Sequence, residues 1–467
     1  MTSSTLLAWL PDLIHNGSSF QNKLAVVSDA AGSIARLAPI DEIETPIRLQ
    51  DRALLPGLVN AHSHAFQRVI RGRTEYRTTN NKDSFWTWRE MMYSAASRLT
   101  PEDVYDASRM AFLEMALSGI TSVGEFHYLH RAPDGSAYDD PNLLAKEVVR
   151  AASDVGLRIA LLRVAYARSG YQTATNPQQH RFIEADPETY LKNFDQLEKH
   201  LSEGDRSLAW AGVAPHSVRA VPLDYLRRII DAANSKQVPI HMHVAEQPAE
   251  VSACIEEYGR SPVALLQTEG LLSERFTGVH AIHVTAKAVR MLADARAMVC
   301  ACPTTERNLG DGIVPADNYF NQGVRLTLGT DSHTEINLLE DARELEYNLR
   351  LQKLERVTLA TADDEGSSAL AARLFDCATI NGAASINAPS GALEIGRQAD
   401  FFTVDLNDPS IAGASSDDLL SALVFSLSRT AIRDVVVGGK RIVEDGRHAQ
   451  QEDIVEKFKA LQKKLWD

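Results

Sequence analysis

The middle of the chain alternates short apolar runs with longer amphipathic runs, and this alternation constrains the fold more than any other feature. Helical periodicity appears between the apolar runs, for example from Pro101 to Ser118 and from Leu223 to Ser235. Eight strand-like runs end near His64, His127, Tyr166, His216, Glu246, His283, Thr305 and His333. Eight strand–helix units in roughly 330 residues predict a (β/α)8 barrel.

The two ends of the chain have a different pattern. The segments Leu24 to Ser28, Asp400 to Asp405 and Val435 to Lys440 are short, rich in β-formers and flanked by turn residues, so we predict strands there. The segment from Asp453 to Trp466 has helical periodicity. The ends are therefore expected to form a smaller unit beside the barrel.

Charge and cysteine content exclude several classes of protein. The chain has 48 basic and 62 acidic residues, a formal net charge of −14. Nucleic acids and anionic membranes bind basic surfaces, so we expect neither as a partner. The four cysteines match neither a zinc finger nor a disulfide framework. Because the sequence shows no secretory signal and no apolar span of about 20 residues, we expect a cytoplasmic protein.

Histidine pairs close two of the predicted strands. His62 and His64 end the first strand, and their spacing places them on one face, which suits two ligands of one metal ion. His241 and His243 also share a face on the fifth strand. We select His243 as a third ligand because it is nearer the strand end, and expect His241 to pack deeper in the barrel.

A carboxylate after the eighth strand completes the predicted metal site. Asp331 follows an apolar run, where a carboxylate is costly to bury unless it is paired or bound to a metal. Three imidazoles and one carboxylate suit Zn²⁺ or another borderline divalent ion. His280 and His283 have opposite parity on the sixth strand, so at most one of them faces the barrel axis.

The same residues predict hydrolysis. A divalent ion lowers the pKa of bound water from about 16 towards 7. Asp331 is placed to take a proton from that water, Glu246 to pass a proton to a leaving nitrogen, and His280 to stabilise charge on a tetrahedral centre. The absence of a lysine between Leu208 and His216, where a carbamate would bridge two metals, favours one ion.

Several motifs resemble a known family. The sequence Pro-Gly-Leu-Val-Asn-Ala-His-Ser-His ending at His64, the His-Val-Ala-Glu segment ending at Glu246, and Gly-Thr-Asp-Ser-His ending at His333 resemble the amidohydrolase superfamily, in its aminohydrolase branch. More specific segments closely resemble the formimidoylglutamate deiminases: His62 to Arg68, Asp83 to Glu90, Glu125 to Tyr128, His216 to Arg219, and Asn308 to Gly312.

The resemblance implies a fold and a reaction. The fold is a distorted (β/α)8 TIM-like barrel at residues 57–388, with a small β-sandwich domain built from both chain ends, residues 1–56 and 389–467. The reaction is the zinc-dependent conversion of N-formimino-L-glutamate and water to N-formyl-L-glutamate and ammonia, in histidine degradation. A homodimer is also implied, and the aromatic segment from Phe85 to Tyr93 is a candidate part of its interface.

Matching motifs imply a role for each site residue. Those implied to hold one zinc ion are His62, His64, His243 and Asp331. Those implied to carry the proton transfers are Glu246, His280 and Asp331. Those that match the substrate-pocket motifs are Gln67, Arg89, Tyr128, His216 and Arg219. Two departures from the expected pattern are Thr330, where we expect serine, and Arg307, where we expect a smaller residue.

The two arginines fit the implied substrate, a small dianionic amidine. A guanidinium binds both oxygens of a carboxylate, and Arg89 and Arg219 provide one guanidinium for each of the two carboxylates. Three alternatives stay open at this point: a deaminase of a purine, pterin or other heterocycle, an enzyme for a related formimino or guanidino amino acid, and a metal-binding protein without activity.

Overall fold

The computed structural model describes residues 6–77, 84–174, 176–360, 366 and 368–467. Asp83, the first residue of the aromatic motif, lies outside these ranges, as do the first five residues of the predicted N-terminal segment. Within the described residues, none of the helices combines the length and the apolar character that crossing a membrane requires.

Strands are found in three parts of the chain: before residue 57, through the middle, and after residue 400. In chain order they are β1 (Leu7–His15), β2 (Phe20–Gln21), β3 (Leu24–Ser28), β4 (Ile34–Pro39), β5 (Ile47–Pro56), β6 (Leu58–Ser63), β7 (Ile120–His127), β8 (Arg158–Ala165), β9 (Ala209–Pro215), β10 (Ile240–Val244), β11 (Phe276–His280), β12 (Met298–Ala301), β13 (Leu326–Leu328), β14 (Phe401–Asp405), β15 (Ile432–Val437), β16 (Lys440–Glu444) and β17 (Arg447–His448).

Helices connect the central strands and close the chain. In chain order they are α1 (Phe85–Ala96), α2 (Pro101–Leu117), α3 (Leu143–Val155), α4 (Pro187–Ser202), α5 (Leu223–Lys236), α6 (Pro248–Tyr258), α7 (Pro262–Thr268), α8 (Ala286–Asp294), α9 (Pro303–Leu309), α10 (Ala316–Asn321), α11 (Leu338–Lys353), α12 (Ala369–Ala378), α13 (Ile380–Ile386), α14 (Leu419–Ser426) and α15 (Gln451–Trp466). Short 3-10 helices lie at Ile40–Glu42, Ala65–Ile70, Pro177–Gln179 and Arg429–Ala431.

The central strands form the predicted barrel. Strands β6 to β13 make one eight-stranded sheet in chain order, and the strand pairs are parallel. The first and last strands meet at a single bridge between Ser63 and Asp331. There the Asp331 N–H donates to the His62 carbonyl (3.1 Å) and the His64 N–H donates to the Asp331 carbonyl (3.1 Å). The sheet is therefore almost closed into a barrel, and its first and last strands meet beside His62 and His64.

Local sequence explains the barrel elements. Every residue of β7 and of β8 is buried, as expected for parallel strands covered on both faces. Helix α2 begins with a capping box, in which the Thr100 side chain accepts from the Asp103 N–H and the Asp103 side chain from the Thr100 N–H, and Pro101 takes the first helical position. The predicted helices at 101–118 and 223–235 match α2 and α5 within one residue.

The chain ends form the second predicted layer. Strands β1 to β5 and β14 to β17 make a nine-stranded mixed sheet in the order β17-β16-β15-β14-β5-β1-β3-β4, with β2 paired to β1. Strand β14 pairs antiparallel with β5, so the C-terminal segment lies beside the strand that leads into the barrel. Gly57 joins β5 to β6, and a Cβ there would lie 2.3 Å from the Thr121 hydroxyl oxygen, so only glycine fits between sheet and barrel.

Two predicted strand ends differ from the structure. The seventh strand ends at Ala301, and Thr305 lies in α9, because Pro303 provides a favoured first position for a helix. The eighth strand ends at Leu328, and the chain then continues through the bridge at Asp331 to His333. A short apolar run does not by itself distinguish a strand from a buried helix start.

A buried ion pair fastens the second sheet to the barrel. Arg158, the first residue of β8, donates from Nε to Asp400 Oδ2 (2.6 Å) and from Nη2 to Asp400 Oδ1 (3.0 Å). The Arg158 side chain is 1% exposed and that of Asp400 is fully buried. Asp400 also accepts the Gly438 N–H (2.7 Å). The ion pair therefore joins a barrel strand to the second sheet.

Removing one partner of this pair is expected to destabilise the protein strongly. Asp400→Ala leaves the Arg158 charge buried without compensation and should lower the free energy of unfolding by about 3–5 kcal/mol. Urea denaturation measures the change. Glu42→Ala, which breaks the exposed Arg36–Glu42 pair, is the matched control and should cost less than about 1 kcal/mol. Equal losses of unfolding free energy in the two variants would contradict the role of the Arg158–Asp400 pair in fastening the second sheet to the barrel.

Candidate active site

Barrel closure gathers four buried side chains into a cluster. The cluster consists of His62, His64, His243 and Asp331, with ligand atoms that all lie within 4.8 Å of one another. Asp331 Oδ1 lies 3.5 Å from His62 Nε2 and 3.3 Å from His64 Nε2. His62 Nε2 lies 3.2 Å from His243 Nε2. The structure thus brings together the four residues predicted as metal ligands.

Hydrogen bonds orient two of the imidazoles towards the cluster. His64 Nδ1 lies 2.9 Å from the Phe126 carbonyl oxygen, and His243 Nδ1 lies 3.2 Å from the His216 carbonyl oxygen. A carbonyl only accepts, so each Nδ1 carries the proton and each Nε2 keeps its lone pair for the cluster. This second hydrogen bond is the arrangement that fixes the tautomer of histidine ligands in metal sites.

Electrostatics favour neutral imidazoles and an ionised carboxylate. Burial lowers the pKa of His62 to about 3 and also lowers the pKa values of His64 and His243. Burial alone raises the pKa of Asp331, but its hydrogen bond to His62 and the neighbouring histidine charges outweigh burial, and the net pKa is far below the ordinary value. Three neutral imidazoles and one carboxylate fit a borderline divalent cation.

His280 lies between three carboxylates next to the cluster. Its Nε2 is 3.7 Å from Glu246 Oε1 and 3.8 Å from Asp331 Oδ2, and its Nδ1 is 3.1 Å from Glu306 Oε1. Burial lowers the pKa of His280, but Glu246, Glu306 and Asp331 raise it well above the ordinary value. Burial raises the pKa of Glu246 to about 7, although the His280 charge lowers it. Glu246 can therefore gain and lose a proton near neutral pH.

Sequence reasoning missed Glu306. The residue lies in α9, is 2% exposed, and accepts the Cys302 N–H (2.9 Å) besides contacting His280. The signal available in the sequence was a carboxylate directly after the predicted strand end at Thr305. Because the strand ends at Ala301 and Glu306 lies in a helix, strand parity could not show which way its side chain faces.

A buried polar chain behind the cluster was also missed. Glu125 accepts from the Ser63 hydroxyl and from the Ala65 N–H (2.7 Å). Ser63 Oγ lies 3.1 Å from His333 Nε2, and His333 Nδ1 lies 3.0 Å from the Thr330 hydroxyl. Burial raises the pKa of Glu125 to about 8. This series of hydrogen bonds connects residues on both sides of the barrel closure, so it helps to hold the cluster residues in place.

Strained backbone is concentrated around the cluster. Residues with positive φ include Ala245 (51°), His280 (68°), Ala281 (48°), Asp331 (46°) and His333 (62°). Non-glycine residues adopt this region at an energetic cost and are found preferentially at functional sites. The surrounding hydrogen bonds must therefore hold these side chains in place.

A pocket opens above the cluster. Its free space is about 540 Å³, including the part open to solvent. The structure places all five predicted substrate-pocket residues in its wall: Gln67, Arg89, Tyr128, His216 and Arg219. Glu246, His280 and Asp331 also line it. Helix α1 contributes further wall residues, so the aromatic segment, predicted as a candidate interface, lines the pocket.

One of the two arginines in this wall keeps unused donors. Arg89 lies over the rings of Trp86 (4.4 Å) and Tyr93 (5.4 Å), but its buried Nε and Nη1 find no hydrogen-bond partner in the described part of the chain. Arg219 donates from Nη1 to the Ser169 carbonyl (3.5 Å) and lies beside the Tyr166 hydroxyl. The unpaired donors of Arg89 are costly to bury, and an anionic ligand would satisfy them.

Other histidines and Arg307 lie away from the cluster. His241 contacts the Ser385 carbonyl through Nε2 (2.9 Å) deep in the barrel, and His283 contacts the Asp311 carbonyl through Nε2 (2.9 Å). Arg307 pairs with Glu344 (2.6 Å) with its side chain 49% exposed. His280, the last residue of β11, thus lies at the cluster, and His283, beyond the strand, does not.

Comparison with protein families gives one family match. The model of the amidohydrolase family matches residues 53–442. The chain is 38% identical over 440 residues to formimidoylglutamate deiminase of Pseudomonas aeruginosa, covering 94% of this chain and 95% of the relative. It is 26% identical over 422 residues to 5-methylthioadenosine/S-adenosylhomocysteine deaminase of Caldanaerobacter subterraneus subsp. tengcongensis, covering 90% of this chain and 88% of the relative.

Solved structures share the fold over nearly the whole chain. A crystal structure of an amidohydrolase from Brucella melitensis has a TM-score of 0.90 at 32% identity and covers 99% of this chain and 100% of its own. An adenosine deaminase from Xanthomonas campestris with bound zinc has a TM-score of 0.82 at 22% identity and covers 98% of each chain. The second similarity concerns the fold alone.

Metal content tests the cluster. His243→Ala should lower metal affinity at least about tenfold, because loss of even an outer partner of a metal ligand costs 10- to 100-fold. His241→Ala, two residues earlier on β10, is the matched control and should retain the metal of the wild type. Elemental analysis after dialysis against a weak chelator measures both. Equal metal content in the two variants would remove His243 from the ligand set.

Proposed function

The chain belongs to the amidohydrolase family and is a hydrolase that acts on C–N bonds, and within this class we propose that it hydrolyses N-formimino-L-glutamate to N-formyl-L-glutamate and ammonia. This would make it a deiminase of histidine degradation. The proposal includes Zn²⁺ as the metal, the dianionic amidine as the substrate and a second copy of the chain as a homodimer partner.

The observation that carries this proposal is the pair of arginines above the metal cluster. N-formimino-L-glutamate has two carboxylates and one amidine group. Arg89 and Arg219 both line the pocket that contains the cluster, and the buried Nε and Nη1 of Arg89 have no hydrogen-bond partner among the described residues. Paired with these donors, both carboxylates keep hydrogen bonds when the ligand enters the pocket.

The cluster provides the site for the proposed metal ion. His62, His64, His243 and Asp331 would hold the ion, and their three neutral imidazoles and one carboxylate fit that role. When bound there, a divalent ion supplies a Lewis acid that brings the pKa of its water ligand towards 7.

The chain's own groups then move the protons. Water adds to the formimino carbon while Asp331 accepts a proton from that water. Asp331 Oδ2 can accept this proton because it faces His280 rather than His62 and His64. Glu246, with its pKa near neutral, gives a proton to the departing nitrogen of the amidinium, which leaves as ammonia, and takes back the hydroxyl proton as the formyl C=O forms. Asp331 returns its proton to the released ammonia, so both carboxyl groups end in their starting states. His280, held by Glu306, stabilises charge on the tetrahedral carbon's oxygen as the C–N bond breaks.

Three further residues are placed to orient the amidine. Gln67 donates from Nε2 to the Tyr128 hydroxyl (2.8 Å), and its buried Oε1 finds no partner among the described residues. Burial keeps His216 neutral by lowering its pKa well below the ordinary value. We propose that these residues contact the substrate near the reacting carbon, because all three line the pocket beside the cluster.

Ammonia release tests the substrate. Wild-type protein should release ammonia from N-formimino-L-glutamate. Arg89→Met and Arg219→Met should each lower kcat/KM about 10- to 1,000-fold, because each removes a charged partner of a buried carboxylate. Arg36→Met, on the surface, is the control. If instead the wild type deaminates a purine or pterin and both arginine variants retain that activity, the heterocycle alternative replaces this proposal.

Glu246→Gln tests the proton-transfer assignment. This variant keeps the side-chain shape but cannot deliver a proton, so kcat should fall about 100- to 10,000-fold. Metal content and thermal stability should stay near those of the wild type. Glu256→Gln, which changes an exposed carboxylate on α6, is the control and should keep full activity. Unchanged turnover in Glu246→Gln would show that another group protonates the leaving nitrogen.

A further inference from the structure

Two tyrosines beside the arginines had no role in the sequence analysis. Tyr93 lies on α1 and Tyr166 directly follows β8. Each is 2% exposed, and each lines the pocket. Gln179, at the end of the 3-10 helix Pro177–Gln179, is 1% exposed and contacts both hydroxyls. The three residues form a small polar group at one side of the pocket.

Gln179 determines how the two hydroxyls are oriented. Its Nε2 donates to the Tyr93 hydroxyl oxygen (2.6 Å) and to the Tyr166 hydroxyl oxygen (2.8 Å), while its buried Oε1 has no partner among the described residues. Both phenol oxygens are therefore acceptors towards Gln179.

Each phenol then has an O–H to donate elsewhere. A tyrosine hydroxyl is protonated at neutral pH and has one donor. In the described part of the chain, neither the Tyr93 nor the Tyr166 O–H has an acceptor within hydrogen-bonding distance. Tyr128 differs, because its hydroxyl accepts from Gln67 and donates to Met92 Sδ (3.6 Å). Tyr93 and Tyr166 thus bring two unused donors to the pocket wall.

These donors lie next to the guanidinium groups of the two arginines. The Arg89 guanidinium lies 5.4 Å from the centre of the Tyr93 ring, and Tyr166 lies beside Arg219. Both hydroxyls contact one nitrogen of Gln179, so they are close together. A carboxylate accepts about four hydrogen bonds, so a guanidinium and two hydroxyl groups together offer it a matching set of donors. A flat heterocyclic base would satisfy this combination less well.

We propose that the Tyr93 and Tyr166 hydroxyls, oriented by Gln179, are a binding site for one carboxylate of the substrate. Gln179 is then a positioning residue that acts through the two phenols. The inference rests on the proposed function for the identity of the whole substrate, whereas the carboxylate itself follows from the donors in the wall.

Kinetics of conservative variants test the two hydroxyls. Tyr93→Phe and Tyr166→Phe should each raise KM for N-formimino-L-glutamate about 10- to 100-fold, the range for one hydrogen bond to a charged group. The value of kcat should stay within about threefold, because the reacting carbon is not contacted. Tyr225→Phe, whose hydroxyl donates to the Glu184 carbonyl (3.0 Å) outside the pocket, is the control and should leave KM unchanged.

Gln179→Glu tests the orientation. A carboxylate at this position would accept both O–H groups and turn them away from the pocket, so KM should rise at least as much as in the double variant Tyr93→Phe/Tyr166→Phe. Gln179→Met removes the amide without adding an acceptor and should have a smaller effect. A KM for Gln179→Glu equal to that of the wild type would overturn the positioning role.

Two ligand series separate this inference from the proposed function. The two mono-amides of N-formimino-L-glutamate each lack one carboxylate charge, and one of them should lose its sensitivity to Tyr93→Phe and Tyr166→Phe. Calorimetry with glutarate needs no turnover, and the wild type should bind glutarate about 10-fold or more tightly than either variant. If glutarate affinity differs in this way between the wild type and the variants, but the wild type releases no ammonia from N-formimino-L-glutamate, the substrate proposal fails and the carboxylate site stands. Unchanged glutarate affinity and KM in both variants overturn the site.

Discussion

The site depends on the closure of the barrel between its first and last strands. Two backbone hydrogen bonds join Asp331 to His62 and His64, and they are the bonds that bring a carboxylate from residue 331 against histidines some 270 positions earlier. Ser63, between the two histidines, continues the closure through side chains to Glu125 and His333. Without this closure the cluster would have no common centre, because its members come from distant strands.

Buried charge is the cost of this arrangement, and the fold offsets it locally. His280 is surrounded by the carboxylates of Glu246, Glu306 and Asp331, so its positive charge compensates theirs. On the substrate side the charge is positive, because Arg89 and Arg219 line the pocket and Arg89 keeps donors that no described residue fills. A protein with a net charge of −14 thus presents two arginines to a small ligand in this pocket.

Much of this could be predicted from residue patterns. Alternation of apolar and amphipathic runs predicted the barrel, strand parity separated His280 from His283, and strand-end position separated His243 from His241. The contacts of Glu306 were not predicted, and neither was the series of hydrogen bonds that runs from Glu125 through Ser63 and His333 to Thr330. Their partners lie on other strands. Gln179 belongs to the same group, since nothing in a Pro-Gln-Gln turn indicates two tyrosines from residues 93 and 166.

The sequence by itself determined which chemistry is available and on which strand end each group stands, because periodicity records the faces of strands and helices. Only the tertiary structure decided the distances between those groups, their protonation and which donors remain unpaired. These properties depend on burial and on contacts between residues far apart in the chain. The His-x-His pair is therefore visible in one segment, whereas the neutral state of His62, the raised pKa of His280 and the orientation of the Tyr93 and Tyr166 hydroxyls arise from the packed barrel mouth.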